Sequence, residues 1–413
     1  MPTTVLLVIG LALFIWALWS RLFRRASVNG PIVMTAIGLV AGALLPTQNL
    51  LFMESKVTLV LAEVVLAYLL FVDALDVRGS LRSQFTGVPA RLLGIGLPLS
   101  LLLVLAVGLI LPLGLSIAVI LAIACIAVPA DFAPETSLVR DSRVPARVRR
   151  WLSVESGYND GLVSPLLLGA LAFASAGNTG DAGRAFAVAA PAGVIAIVVG
   201  GLLGLGIGVT TRFADDRGWT EAQSMRIAFV AAPVVVFAAA VMLHGNGFVA
   251  VFVAGFVIRV TRGANGIPRA ELALLEDLSW LANLLLWLAF GFAAIILLSE
   301  TYDWWPAIVL ALVALTVGRF VPVALALRGS NATAKERFFI AAMGPRGAAS
   351  IVFGLIAANA LPGEDGFLVL AATCMVVLGS VVLHGIGGPL LVRRLWGAPR
   401  ADHDRQPTVK ESS

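Results

Sequence analysis

WLSVESGYNDGLVSPLLL, residues 151–168, is the stretch on which the fold turns. Leucine, valine and alanine dominate it, as a lipid-facing helix requires. Yet its first ten residues hold Glu155, Ser156, Asn159 and Asp160. On a helix, residues three and four apart are neighbours. Glu155 and Asn159 therefore share one face, and Ser156 and Asp160 share the adjacent one. The stretch reads as a membrane helix that carries a short ridge of oxygen-bearing side chains.

The rest of the chain supports a membrane setting. Of 413 residues, 59% are hydrophobic and 13% charged. Soluble domains carry roughly 25% charged residues, so this chain cannot cover a water-facing surface. A membrane β-barrel would alternate polar and apolar residues in segments of about ten. Here the apolar runs are continuous and suit helices, which need about 20 residues each to span. The class is an all-α polytopic membrane protein. The first run, Val5 to Ser20, has no basic residue before it and Arg21, Arg24 and Arg25 after it. That order is the reverse of a secretory signal, so the run reads as a retained first helix.

Breaks in the apolar pattern predict thirteen helices, at 5–20, 31–49, 57–76, 88–111, 114–138, 150–175, 184–211, 223–243, 245–261, 277–299, 304–327, 336–360 and 366–392. Basic residues cluster on the cytoplasmic side of membrane proteins. Here they follow the odd-numbered helices: Arg78, Arg82 and Arg91 after the third, Arg140 to Arg150 after the fifth, Arg212, Arg217 and Arg226 after the seventh. The pattern continues with Arg259, Arg262 and Arg269, then Arg328, Lys335 and Arg337, then Arg393, Arg394, Arg400, Arg405 and Lys410. Even-numbered exits hold only Lys56 and Arg184. The expected topology is N-terminus outside and C-terminus cytoplasmic, with a membrane domain at 1–398 and a short polar tail at 399–413.

Charges inside the predicted helices are few. Asp131 is nine residues from Arg140, Asp160 ten from Arg150, and Arg346 nine from Arg337. At 1.5 Å per residue each lies about 13–15 Å from the basic boundary, near the middle of a hydrocarbon core about 30 Å thick. Pro129 and Pro134 flank Asp131, and Gly344, Pro345 and Gly347 surround Arg346. Proline breaks the helical hydrogen-bond ladder, and freed backbone at membrane depth has to face protein or a cavity. Under the assigned topology the fifth and twelfth helices run in opposite senses, within two six-helix halves joined by the seventh. Interrupted helices at matching places in inverted halves point to the binding site of a secondary transporter. A desolvated carboxylate there binds a cation or a proton in competition, which is the chemistry of an exchanger.

RVPARVRRWLSVESGYNDGL, LTVGRFVPVALALRGSNATAKERFFIAAMGPRGAASIVFGLIA and, less specifically, HGNGFVAVFVAGFVI resemble the NhaP-like sodium/proton antiporters, relatives of the NHE-type exchangers in the monovalent cation:proton antiporter family. The resemblance runs from the third predicted helix to the last. It implies a homodimer of thirteen-helix protomers in the plasma membrane, each with a transport and a dimerisation bundle. It further implies electroneutral exchange of Na⁺, or Li⁺, for H⁺ by alternating access. By the same resemblance Asp160 binds the ion and the proton, Ser156 and Asp131 add ligand oxygens together with the backbone of Ala130, and Asn159 supports the site. Glu155 is implied to pair with Arg346, and Arg319 is a further supporting residue. The chain departs from the pattern at Ala130, where the family usually has threonine, so a hydroxyl ligand is missing; Glu135 adds an acid nearby.

Three alternatives remain open: exchange of K⁺ for H⁺, an organic-anion:Na⁺ symporter on a similar inverted-repeat fold, and a non-transporting membrane sensor or scaffold in which Ala130 marks lost activity. The chain reads as a transporter, not an enzyme. No cofactor is expected, no P-loop marks an ATP-driven pump, and no nucleic-acid partner is implied. Cys125 and Cys374 read as buried small hydrophobes, Asp73 and Asp76 as a solvated helix end, and Asn246 as a turn residue.

Overall fold

The computed structural model describes residues 2–25, 28–45, 56–76, 86–132, 141–175, 182–262, 267–361 and 363–397. Glu135, Pro134, Arg140, Arg78, Arg82 and the tail 399–413 lie outside the described residues. The helices are α1 (Pro2–Arg25), α2 (Gly30–Leu44), α3 (Lys56–Asp76), α4 (Val88–Ile110), α5 (Ile117–Ala127) and α6 (Ala146–Ser175). Then come α7 (Ala182–Asp216), α8 (Ala222–Met242), α9 (Gly247–Thr261), α10 (Arg269–Ser299) and α11 (Trp305–Ala326). The series ends with α12 (Ala334–Ala342), α13 (Ala348–Ala360) and α14 (Gly363–Trp396). Among the described residues, seven helices are long and apolar enough to cross a membrane by length and composition.

Where helices stop follows from local chemistry. α5 starts at Ser116, whose Oγ accepts the Val119 N–H at 3.3 Å, and ends at the Val128–Pro129 step. Val128 keeps helical dihedrals (φ −87°, ψ −40°), but Pro129 has no N–H to continue the ladder, so the helix expected over 114–138 stops at Ala127. α12 opens with a capping box, in which Thr333 and Glu336 satisfy each other's backbone N–H groups, the reciprocal arrangement that fixes a helix start. It ends before Met343-Gly344-Pro345, so the helix expected over 336–360 is two helices. α11 is also interrupted, at Thr316 (φ −116°, ψ −94°). The segment around it, LALVALTVGRF, has no proline, and its pattern forecast no break. Asn246 makes the turn into α9, as expected: its Oδ1 accepts the N–H groups of Phe248 and Val249.

Packing sets three groups. α2 lies along α10 with α1 beside them. α7 lies along α9, with α3 and α8 completing their cluster. The third group surrounds α5 with α3, α4, α6, α11, α13 and α14. α5 and α13 are buried on every side over Ala122–Ala127 and Ala348–Ala357. A helix apolar all round belongs inside, so these two short helices form the centre. Cys125 and Cys374 are buried free thiols within this packing.

Lipid tails are as apolar as leucine, so helix association in a bilayer relies on close contact rather than on apolar burial. The α7–α9 seam shows this. A Cβ on Gly200 would lie 2.3 Å from the Ala250 carbonyl oxygen, and one on Gly204 would lie 2.7 Å from the Ala254 Cα. Gly206, on another face, has open space. Gly204→Leu is therefore expected to destabilise the protein by about 1–3 kcal/mol, the usual cost of overpacking. Gly206→Leu is expected to leave the melting temperature in detergent unchanged or raise it; equal melting temperatures for both variants would contradict this seam.

Candidate functional site

The two central helices meet at their broken ends. Past α5 the chain leaves the helix through Val128-Pro129-Ala130-Asp131-Phe132, and between α12 and α13 it is non-helical from Met343 to Gly347. The Asp131 N–H donates to the Pro345 carbonyl at 2.8 Å, and the Ala348 N–H donates to Asp131 Oδ2 at 3.0 Å. The Asp131 carboxylate thus sits at the N-terminus of α13, where helix dipole and free N–H groups favour an anion. Only glycine allows this approach at position 347, since a Cβ there would lie 2.0 Å from Asp131 Oδ2.

The remaining freed groups also find partners. At the end of α5, the Ile126 carbonyl accepts from Ser350 Oγ at 2.8 Å and the Ala127 carbonyl accepts from Arg346 Nε. The Arg346 guanidinium, 1% exposed, donates as well to the carbonyls of Gly344 and of Ala314, the latter at 3.2 Å. Ala314 stands two residues before the α11 interruption, so one cation holds the carbonyls of three interrupted helices. At the end of α12, Arg319 Nη2 donates to Met343 O at 3.0 Å and to Ile340 O at 3.3 Å. The Gly344 N–H donates to His384 Nε2 at 3.4 Å and the Arg346 N–H to Ser380 Oγ at 2.7 Å. A buried backbone group left without a partner costs about 1–3 kcal/mol, so this set of contacts is what makes two breaks tolerable.

α6 passes beside the crossing with its polar ridge turned inward; Glu155, Asn159 and Asp160 are 3%, 1% and 5% exposed. Ser156 Oγ accepts the Phe132 N–H at 3.2 Å, and Asn159 Nδ2 donates to the Ala130 carbonyl at 2.6 Å. Ser156, Asn159, Ala130 and Asp131 are thus brought together. Their polar atoms also hold the backbone in shape: the Ala130 carbonyl and the Ser156 hydroxyl, expected as ligands, each already make one hydrogen bond.

One expectation is corrected. Glu155 does not pair with Arg346. Its carboxylate takes a two-pronged contact from Arg319, with Nη1 on Oε1 and Nη2 on Oε2 at 2.9 Å. Arg346 is spent on carbonyl oxygens instead. Depth along the chain was counted for Asp131, Asp160 and Arg346, but the direction a side chain faces is set by helix packing, and α11 presents Arg319 to Glu155 on α6.

Two oxygens are left over. Asp160 Oδ1 and Asn159 Oδ1 are buried and have no hydrogen-bond partner among the described residues. Buried polar atoms are nearly always satisfied, so an unmatched carboxylate oxygen and an unmatched amide oxygen on consecutive residues offer places for a hydrogen-bond donor or a cation. The charges acting on Asp160 are the carboxylates of Asp131 and Asp73 and the guanidinium of Arg346. With Glu155 and Arg319 cancelling, three carboxylates face one guanidinium, which favours a cation or proton. Asp73 is exposed, so its solvated helix end still contributes to this field.

Sequence reasoning missed Ser350, Ser380 and His384 as partners of the breaks. The signal was present for the last two: Ser380 and His384 are a polar pair four apart in an apolar run, VVLGSVVLHGIGG. The basic first turn of α6 also makes a structural contact. Arg147 holds Glu336 through two contacts of 2.7 Å, tying the start of α6 to that of α12.

Comparison with known proteins gives a consistent result. The profile of a family described as sodium/hydrogen exchanger, transmembrane, matches residues 9–394. The K(+)/H(+) antiporter NhaP of Alkalimonas amylolytica is 26% identical over 250 residues, 60% of this chain; the match spans 41% of that relative's length. The sodium proton antiporter MjNhaP1 of Methanocaldococcus jannaschii, in its structure at pH 8, superposes with a TM-score of 0.75 at 21% identity, over 94% of this chain and 98% of that one. An electron-microscopy structure of the same protein gives 0.75 at 20% identity, over 97% and 100%. These two likenesses show the shared fold.

A double-mutant cycle between Glu155→Gln and Arg319→Gln, read by thermal unfolding in detergent, is expected to give a coupling of about 2–3 kcal/mol, the upper range for residues in direct contact. The Glu155/Arg346 cycle is expected to give less, and the reverse order would refute the pairing. Gly347→Ala is expected to lower the melting temperature, at a cost of about 1–3 kcal/mol; an unaltered melting temperature would mean that Asp131 does not lie against this backbone.

Proposed function

The chain belongs to the sodium/hydrogen exchanger family, and from that premise we propose that it exchanges a monovalent cation, Na⁺ or Li⁺, for H⁺ across the plasma membrane by alternating access. The observation that carries this reading is the pair of unmatched oxygens on Asp160 and Asn159 beside the crossing of the breaks. Asp160 is the shared group. Deprotonated, it offers its carboxylate to a cation, with the Asn159 oxygen, the second lone pair of the Ala130 carbonyl, Ser156 and Asp131 completing an oxygen shell of the kind hard cations prefer. Protonated, it is neutral and the cation leaves.

The stoichiometry follows from which acids are free. Glu155 is bound to Arg319 and Asp131 is committed to the start of α13. Asn159 adds an oxygen without a charge. One uncommitted carboxylate implies one cation for one proton, an electroneutral cycle. Desolvation makes the competition effective, because a buried carboxylate cannot stay ionised without a compensating charge.

The remaining assignments rest on the same reading. Thirteen spans are proposed, with the N-terminus outside, the arginine-rich ends cytoplasmic, and residues 1–398 as the membrane domain ahead of the 399–413 tail. The protomer is proposed to work as a homodimer. A second cation is favoured by one observation: Ala130 carries no hydroxyl, and the A. amylolytica relative is named for K⁺. The two readings share the site and differ only in its ion.

Purified protein in liposomes with a pH-sensitive dye is the test. Wild type is expected to show dye recovery on adding Na⁺, Li⁺ or K⁺, in an order that identifies the ion, and the recovery is expected to persist when membrane voltage is clamped. Asp160→Asn is expected to abolish it for every ion. Exchange that continued undiminished in that variant would rule out Asp160 as the shared group.

A further inference from the structure

His384 is a fully buried titratable residue to which the exchange cycle assigns no part. It lies in the π-helical turn Val381–Ile386 of α14, and single π-turns inside α-helices often mark functional positions. The turn delivers the imidazole to the break between α12 and α13. Nε2 accepts the Gly344 N–H at 3.4 Å, and Nδ1 lies 3.1 Å from Ser380 Oγ, the atom that accepts the Arg346 N–H at 2.7 Å. Pro345 has no N–H. The only N–H groups of Gly344-Pro345-Arg346 are thus both held from α14, one by the imidazole and one by the serine that the imidazole touches.

A ring nitrogen that accepts the Gly344 N–H carries no proton, and the other ring nitrogen lies against Ser380 Oγ; the backbone carbonyls of Ser380 and Ala342 also face the ring. The same short segment presents the Pro345 carbonyl to the Asp131 N–H, and its Arg346 side chain grips Ala127, Gly344 and Ala314. A shift of Gly344 therefore moves Arg346, one of the three charges acting on Asp160, and the backbone against which Asp131 rests.

We infer that His384 is a positioning residue for cation binding: its Nε2 fixes the Gly344–Arg346 segment, and through it the placement of Arg346 and Asp131 around Asp160. It acts from α14, without itself touching the ion. This inference rests on the exchange reading above.

The test uses two substitutions that differ in which nitrogen they replace. His384→Gln places an amide oxygen near the Nε2 position and keeps an acceptor for Gly344. His384→Asn reaches only the Nδ1 position and leaves Gly344 without one. In proteoliposome exchange, His384→Asn is expected to raise the apparent KM for the cation by about threefold to tenfold, the fold-change that loss of one hydrogen bond of ordinary strength carries. Its maximal rate is expected to change less, and His384→Gln is expected to stay near wild type. A purely structural role would lower the amount of folded protein without splitting KM from the maximal rate. A folded His384→Asn with wild-type KM, or equal defects in both variants, would overturn the inference. Hydrogen–deuterium exchange of the peptide containing Gly344 in detergent gives an answer even if no cation is transported. Faster exchange at Gly344 in His384→Asn and not in His384→Gln supports the contact, and equal exchange in both refutes it. Wild type inactive with every cation would count against the exchange reading and leave the His384 contact to be judged on that second measurement.

Discussion

Two helices at the centre of this protein stop short, and every backbone group they release has to be satisfied by another part of the chain. That requirement organises most of the polar residues in the interior. In water such groups would be hydrated at no cost; inside a bilayer irregular backbone is tolerated only where protein or a cavity receives it. The chain meets the demand with a small set of long or hydroxyl-bearing side chains. Arg346 and Arg319 take carbonyls at helix C-termini, where partial negative charge accumulates. Asp131 takes an N–H at a helix N-terminus. Ser156, Ser350, Ser380, Asn159 and His384 fill the remaining positions.

A site emerges from what is not consumed. Buried charges are costly when unpaired and nearly neutral in their effect when matched. Glu155 is matched by Arg319, and Asp131 by the start of α13. Asp160 and the oxygen of Asn159 stand outside this matching. At the crossing of the breaks the imbalance falls on α6, where the unmatched group is a carboxylate. It also couples the ion to the scaffold. Asn159 binds the Ala130 carbonyl through its nitrogen while its oxygen stays free, so a cation drawn to that oxygen acts directly on the α5 break. On the proposed reading, ion occupancy and helix geometry are thereby linked, the differential interaction that a two-state transporter needs to move its equilibrium.

Much of this was readable from residue order. Apolar run lengths marked most of the helices, and prolines beside Asp131 and Arg346 marked both breaks. The ridge at Glu155, Ser156, Asn159 and Asp160 announced the site because three- and four-residue spacing guarantees adjacency on a helix. The interruption of α11 at Thr316 was not readable, since no proline marks it and the turn is stabilised from outside by Arg346. His384 and Ser380 were visible only as polar residues in an apolar run. Their partners lie 40 and 34 residues away along the chain.

The amino-acid order alone determined the membrane class, most of the helical segments and the two breaks. These depend on hydropathy, on proline chemistry and on helical periodicity, all of which are local to a stretch of chain. Tertiary structure decided which cation answers which anion. Glu155 meets Arg319 across 164 residues of sequence, and Arg346 turns to carbonyls. Depth in a membrane is additive along a helix and can be counted, whereas the direction a side chain faces depends on how separate helices pack, and no local count contains that.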